Sequence, residues 1–339
     1  MDTWILAKCR RVCVHKIVAW LALGLAVIGV VISFKDYLVD FFEGPYPMSE
    51  SQLGALTHPE TMQRNFVRVT GSKIVDTGLQ QIEVSKDSGS EKRTVTAGYY
   101  VLKTGERLLL VKASSTPPLI IDGTLEAIPG DVWNQLFEDQ KQRQELSPYF
   151  LQVLLNTDSF RFPGYMGLTV AGGLLILVFV FGRKAWNQLQ NPSELPVVKR
   201  VLGWGDEYRI SSEIEKDFKD SVRLKVGSLT LTDKYAVLSH PFKFDVYRVE
   251  DLVWAYKRVT RQYYNAIPAR KTYNAVLMFN GGSLDAPGNQ QKVDSILQYF
   301  GQRTPWAIFG HTKEIADAFG ENPAGFYQAV EERRRQALR

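Results

Sequence analysis

Two stretches without a single charge interrupt a chain in which charged residues otherwise recur every few positions: residues 17–34, IVAWLALGLAVIGVVISF, and residues 162–182, FPGYMGLTVAGGLLILVFVFG. Lys16 and Lys35 bracket the first, Arg161 and Arg183 the second. A helix rises ~1.5 Å per residue, so both runs reach roughly the ~30 Å of a bilayer's hydrocarbon layer, where a lone segment must be helical to satisfy its own backbone polar groups. Trp20, Tyr37, Tyr165 and Trp186 stand near the run ends, where amphipathic rings favour the headgroup layer. A buried core helix is the other home for an apolar stretch, but core helices rarely run this long without a charge. The first run also follows a basic stretch, as a cleaved leader does, yet residues 31–36, VISFKD, lack the small-x-small site that cleavage needs. Two transmembrane helices are expected, the first retained as an anchor.

Between the spans the pattern shortens to strands. After the turn-rich Gly44-Pro45-Tyr46-Pro47 and a polar helix-like segment at 49–56, β-rich runs occupy residues 65–69, 79–84, 94–102, 107–112 and 119–128, separated by turn residues such as Lys103-Thr104-Gly105-Glu106. This predicts a small all-β barrel or sandwich over residues 35–161. The glycines in Val69-Thr70-Gly71 and Ile121-Asp122-Gly123 are similar to the edge glycines of an OB-type barrel. From Gly130 the period changes. Trp133, Leu136 and Phe137 have i, i+3, i+4 spacing, and an apolar run continues toward the second span, which predicts a helix over residues 131–157.

After the second span, residues 183–220 read as a linker with helical segments, broken by Asn191-Pro192 and Pro196. Strands follow at 222–226, 228–232, 235–239, 242–248, 252–259, 272–280 and 282–284, with a longer loop at 261–270. Tyr273, Ala275, Leu277 and Phe279 alternate with Thr272, Asn274, Val276 and Met278, which makes one face wholly apolar. Val293, Ile296, Leu297 and Phe300 then form a helical stripe with Gly301 as its C′ residue. Residues 305–309, PWAIF, read as another strand, and two helices complete residues 303–339, the last with Asn322 as N-cap and Pro323 at N1.

The segment Leu229-Thr230-Leu231-Thr232-Asp233-Lys234-Tyr235-Ala236-Val237, the segment Tyr247-Arg248-Val249-Glu250-Asp251-Leu252 and the stripe helix together resemble the bacterial pleckstrin-homology (PH)-like domains that sit on the cytoplasmic side of membrane proteins. The resemblance covers residues 222–302 and implies a barrel with a capping helix over 221–302, built to bind or scaffold and without an active site. The expected fold class is an α+β membrane protein. Its parts are a basic head (residues 1–16), two transmembrane helices, an extracytoplasmic small β-barrel of OB-like type, and a cytoplasmic PH-like β-barrel with C-terminal helices.

Charge sets the expected sidedness. Lys8, Arg10, Arg11 and Lys16 precede the first span, and Arg183, Lys184, Lys199 and Arg200 follow the second, so both flanks are expected on the cytoplasmic side of a cell membrane. The whole chain carries +5, but residues 36–161 hold 12 Lys+Arg against 17 Asp+Glu, while residues 183–339 hold 24 against 18. A basic inner block suits an anionic leaflet, where each cation near the surface contributes ~1 kcal/mol; ordinary solubilising charge would look the same.

The candidate site is a cation cluster. No acidic residue occurs between Asp251 and Asp285, whereas Lys257, Arg258, Arg261, Arg270 and Lys271 gather at two strand ends and their loop, interleaved with Tyr256, Tyr263 and Tyr264. Such a rim can seat anionic lipid headgroups or an acidic surface of another envelope protein. A solvated hairpin tip has the same composition. Arg333-Arg334-Arg335 is offset by Glu331 and Glu332. The only cysteines, Cys9 and Cys13, are one helical turn apart near His15, which leaves membrane-flank residues, acylation or an incomplete metal site open.

Reaction chemistry is hard to find. There is no Gly-rich phosphate loop before a helix, no Gly-x-Ser-x-Gly, no His-Glu-x-x-His and no Cys-x-x-Cys. The four histidines, His15, His58, His240 and His311, are scattered. No cofactor, no metal and no catalysis are expected; an enzyme would have to draw on Asp245, His240 and Asp122. Neither span carries a charge that would line a transport path. Nucleic acid is not expected as a partner of an acidic block across a membrane. Gly167, Ala171, Gly172 and Gly173 would let spans approach closely, so a homo-oligomer is left open. The expected role is a sensor, scaffold or regulator, with an accessory subunit of a larger membrane complex as the alternative.

Overall fold

The computed structural model describes the backbone of residues 3–337 apart from 57, 58, 60, 61, 63, 88, 89, 139, 265 and 266, and side chains apart from those residues and 85–92, 140, 142 and 262–270. The chain divides into two compact units, residues 24–176 and residues 1–23 with 177–339. Helix α1 (Trp4–Ser33) carries the first apolar run but begins well before it.

In the unit of residues 24–176, α2 (Lys35–Glu43) places Tyr37 and Phe41 against Phe160 and Tyr165, with ring centroids 4.8 Å apart for Tyr37 and Phe160 and 5.0 Å for Phe41 and Tyr165. β1 (Tyr46–Pro47) and α3 (Glu50–Gly54) follow, α3 opened by a capping box between Ser49 and Gln52. Then come β2 (Phe66–Thr70), β3 (Lys73–Asp87), β4 (Ser90–Thr104), β5 (Arg107–Ala113), β6 (Ile120–Ala127), α4 (Gly130–Leu136), α5 (Gln140–Leu146) and β7 (Phe150–Asn156). Among the described residues these strands form one open seven-stranded sheet, β1-β2-β6-β7-β5-β4-β3, and not a closed barrel.

The helix expected over residues 131–157 is two short helices followed by β7. β7 lies between β6 and β5, with Leu155 in the core of one face and Leu154 packed with Tyr99, Leu110 and Val132 on the other. A strand buried on both faces is apolar at nearly every position and shows no alternation, which is why it reads as a continuation of the helix.

Helix α6 (Arg161–Gln190) carries the second apolar run. Both α1 and α6 have 30 residues, and only 11% and 6% of their most apolar windows are covered by the rest of the protein. A core helix would be covered, so these are helices long and apolar enough to cross a membrane.

In the other unit, α7 (Pro196–Leu202) and α8 (Glu207–Asp220) precede β8 (Val222–Val226), β9 (Leu229–Thr232), β10 (Tyr235–His240) and β11 (Lys243–Arg248), which form an antiparallel sheet in that order. β12 (Leu252–Tyr264), β13 (Ile267–Phe279) and β14 (Gly282–Gly288) form a second antiparallel sheet, to which β15 (Ile308–Phe309) adds in parallel beside β12. Helix α9 (Gln290–Arg303) buries Val293, Ile296 and Phe300 at 0% exposure among Leu231, Leu238, Ala255, Leu277 and Phe279 of the two sheets. Burial of each such side chain stabilises by roughly 1.5–3 kcal/mol. The helix runs through Gly301 and closes at Thr304, whose hydroxyl and N–H both donate to the Phe300 carbonyl. α10 (Lys313–Glu321) and α11 (Pro323–Ala337) follow; Asn322 caps α11 by accepting from the Gly325 N–H at 2.9 Å.

Residues 4–16 are not a free head. Ile5 and Cys9, 1% and 2% exposed, lie in a core with Val198, Val201, Ile214, Val237 and Val246. Trp4 packs on Phe218 and Phe244, the Thr3 hydroxyl accepts from the Leu6 N–H, and the Ser211 hydroxyl accepts from the Ile5 N–H. Two N–H groups of the first turn of α1, otherwise unpaired, are thereby satisfied, one by the preceding Thr3 and one by a hydroxyl of α8.

Candidate functional site

The β12–β13 hairpin is where the predicted residues meet. Each of its strands has 13 residues, against 6 in β11 and 7 in β14. β14 pairs with β13 only from Tyr273 to Phe279, so residues 260–264 and 267–272 continue as a two-stranded ribbon where a loop over 261–270 is expected from the sequence. The sequence here, TRQYYNAIPARKT, mixes polar, aromatic and apolar residues with a proline and shows no alternation, so no period of two marks it as strand.

The ribbon separates the cations into two groups. Lys257 donates to Asp294 of α9 at 2.8 Å, and Arg258 donates to Asp285 of β14 at 2.9 Å. Both stand nearer the sheet and are neutralised. Arg261 and Lys271 lie directly opposite each other in the ladder, both exposed, and among the described residues neither has a carboxylate partner. Like charges in that relation are destabilising by a few tenths of a kcal/mol, on the order of the cross-strand terms in sheets. The side chains of Tyr263, Tyr264 and Arg270 lie outside the described residues; their backbones pair as Tyr263 with Pro268, Tyr264 with Ile267, and Arg270 with Gln262.

The residues an enzyme would need are committed elsewhere. Asp245 accepts from Arg200 at 2.6 Å. Asp122 takes both arms of Arg68, at 2.6 and 2.8 Å, and that guanidinium holds its carboxyl below the usual carboxylate range. His240 Nδ1 accepts from the Phe242 N–H at 3.2 Å within the β10–β11 turn, and His311 stacks on Trp254. His58 lies outside the described residues. Arg334 is paired with Glu250 at 2.7 Å. Cys9 and Cys13 are buried free thiols, and among the described residues no group of three or more His, Cys, Asp or Glu could hold a metal ion.

One grouping escaped the sequence reading. Lys16, Trp20, Phe181, Lys184, Gln188 and Phe242 line a single cavity of about 450 Å³. The spacings Lys16 to Trp20 and Phe181 to Lys184 were visible as helical neighbours, but joining them needs the pairing of α1 with α6, and Phe242 comes from a distant hairpin.

A protein-family profile described as a domain of unknown function (DUF6709) matches residues 198–319, from within α7 to within α10. No curated protein and no solved structure matches the chain.

Proposed function

We propose that this is a two-span membrane protein of the sensor, scaffold or regulatory class, without catalysis, whose cytoplasmic unit is a PH-like binding module. In this reading the β12–β13 ribbon is the docking element for an acidic surface of another envelope protein or for anionic headgroups, and residues 35–161 form an extracytoplasmic OB-like β domain. The observation that carries it is the Arg261–Lys271 pair, two exposed cations held face to face without a counter-ion among the described residues. An arrangement that costs stability is understandable where a partner supplies the missing charge. The burial of Ile5 and Cys9 against α7 and α8 supports one side of the membrane for residues 4–16 and 196–220, in keeping with the cationic flanks of both spans.

The test is to purify the full-length protein gently, as wild type and as Arg261→Gln/Lys271→Gln, with a photo-crosslinking residue in place of Val259. A defined protein or lipid crosslinked in the wild type and lost in the variant is the expected result. Identical crosslinks in both would end the docking role of the ribbon, and a fluorescent C-terminal reporter that is dark in the cytoplasm would end the sidedness.

A second reading, an accessory subunit that meets its complex through the spans, has its own observation. An apolar groove of about 810 Å³ lies between α1 and α6, lined by Ala26, Val30, Phe34, Gly167, Ala171 and Leu174. Small residues let another helix approach closely. Gly167→Leu/Ala171→Leu would then shift the protein to a smaller species on native electrophoresis.

A further inference from the structure

The cavity shared by Lys16, Trp20, Phe181, Lys184, Gln188 and Phe242 is assembled from three distant parts of the chain, all within the unit of residues 1–23 and 177–339. The rings of Trp20 and Phe181 stack with centroids 5.3 Å apart and planes inclined by 12°. They close the two helices on each other where each apolar run meets its charged flank. Lys16 precedes Trp20 by four residues and Lys184 follows Phe181 by three, so helical geometry sets each ammonium on the same face as its ring, one turn further from the apolar run. Among the described residues neither lysine has a carboxylate partner. Two cations beside one cavity repel each other until an anion joins them.

The third wall says what kind of anion fits. Phe242 sits at the tip of the β10–β11 turn, is 47% exposed, and is flanked by His240, Pro241 and Lys243. An exposed ring beside the cationic Lys243 suits the boundary between headgroups and acyl chains, where apolar bodies are buried and polar tips stay wet. Ala19, Trp20 and Phe181, which belong to the two apolar runs, form the apolar wall of the cavity beside the lysines. A soluble anion would use the lysines and leave this apolar wall uncovered.

We propose that this cavity binds the phosphate of an anionic phospholipid. Lys16 and Lys184 neutralise the phosphate, the Gln188 amide donates to its oxygens or to the glycerol esters, and Trp20, Phe181 and Phe242 cover the start of the acyl chains. The proposal rests on the two-span reading and is independent of the β12–β13 ribbon.

The test uses the full-length protein released from nanodiscs of mixed phosphatidylglycerol and phosphatidylcholine, with retained lipid counted by native mass spectrometry. Wild type is expected to retain phosphatidylglycerol in preference. Lys16→Gln/Lys184→Gln should bind it roughly thirty-fold more weakly, the loss of two near-surface cations at ~1 kcal/mol each. Lys16→Arg/Lys184→Arg should restore it, which separates charge from a folding defect, and Phe242→Ala should weaken it without changing charge. No preference in the wild type, unchanged retention in the glutamine pair, or displacement of the lipid by excess inorganic phosphate would each overturn the proposal. Arg261→Gln/Lys271→Gln should retain the lipid as the wild type does, so a failure of the ribbon reading shows in the crosslinking experiment and not here.

Discussion

The guanidinium of Arg200 stands 3.8 Å from the centroid of the Tyr247 ring, and Tyr247 in turn stacks on Phe279 at 4.5 Å in the core between the two sheets. The same guanidinium donates to the Asp245 carboxylate at 2.6 Å, to the Val246 carbonyl at 2.9 Å and to the Gly281 carbonyl at 3.2 Å. One side chain thereby ties α7 to β11 and to the β13–β14 turn. The turn is shaped to receive it: at Gly282, with φ of +155°, an added Cβ would overlap the Tyr247 hydroxyl.

Arg200→Met should therefore cost about 3 kcal/mol, since it strands a carboxylate that is only 17% exposed. Arg200→Lys should recover little, because an ammonium lacks the planar fork that reaches three acceptors and lies on a ring. Thermal unfolding of the purified protein checks both. A loss below about 1 kcal/mol would reduce Arg200 to an ordinary surface ion pair.

Cys9 and Cys13, 2% and 1% exposed, should resist maleimide labelling in the native protein and react fully once it is denatured. Ile5→Asn should make both thiols reactive without denaturant by detaching the first turns of α1 from Val198, Val201 and Ile214. Rapid labelling of the untreated wild type would contradict the packing of these turns.

Burial pushes the hydroxyls of Tyr235 and Tyr299 up to about 12. The Tyr299 hydroxyl also donates to the Thr232 carbonyl. Because the folded state favours the neutral ring, this contribution is whole below about pH 10, the unfolded value, and is lost as pH rises through about 12. Wild type should exceed Tyr299→Phe in stability by roughly 1 kcal/mol near neutrality. That difference should shrink to nothing, then reverse, across the alkaline limb followed by circular dichroism.

Asp40, 3% exposed, has one carboxylate oxygen accepting from the Asn65 N–H at 3.2 Å and the other without a partner among the described residues. Burial raises its pKa. A carboxyl raised in this way stabilises the fold fully below its unfolded value of about 3.9, and that stability is lost as pH rises through the folded value. Asp40→Asn should consequently be at least as stable as wild type at neutral pH and lose that advantage in acid. A variant less stable at every pH would show that the charged form is the one the site prefers.

The sequence exposed the elements whose faces differ. β13 alternates because one face meets α9, and α9 itself repeats at helical spacing because one stripe is buried. It concealed the elements whose faces are alike. β7 is apolar on both and reads as a continuation of the helix, and the outer ribbon of β12 and β13, with its mixed TRQYYNAIPARKT sequence, shows no alternation and reads as a loop. Of the candidate cations, their gathering on one hairpin was legible from spacing, but Asp285 and Asp294 lie beyond the acid-free segment and neutralise two of them only through the fold. The Lys16–Lys184 cavity was invisible for the plainest reason: its walls are far apart along the chain.

The burial of Ile5 and Cys9 against Val198, Val201 and Val246 has a temporal meaning. Residues 4–16 are translated some two hundred residues before the segments that cover them. Until then the apolar side chains at the start of this helix stay uncovered. Assembly must bring these earlier-made turns into a module made later, so biogenesis depends on whatever shields them in the interval.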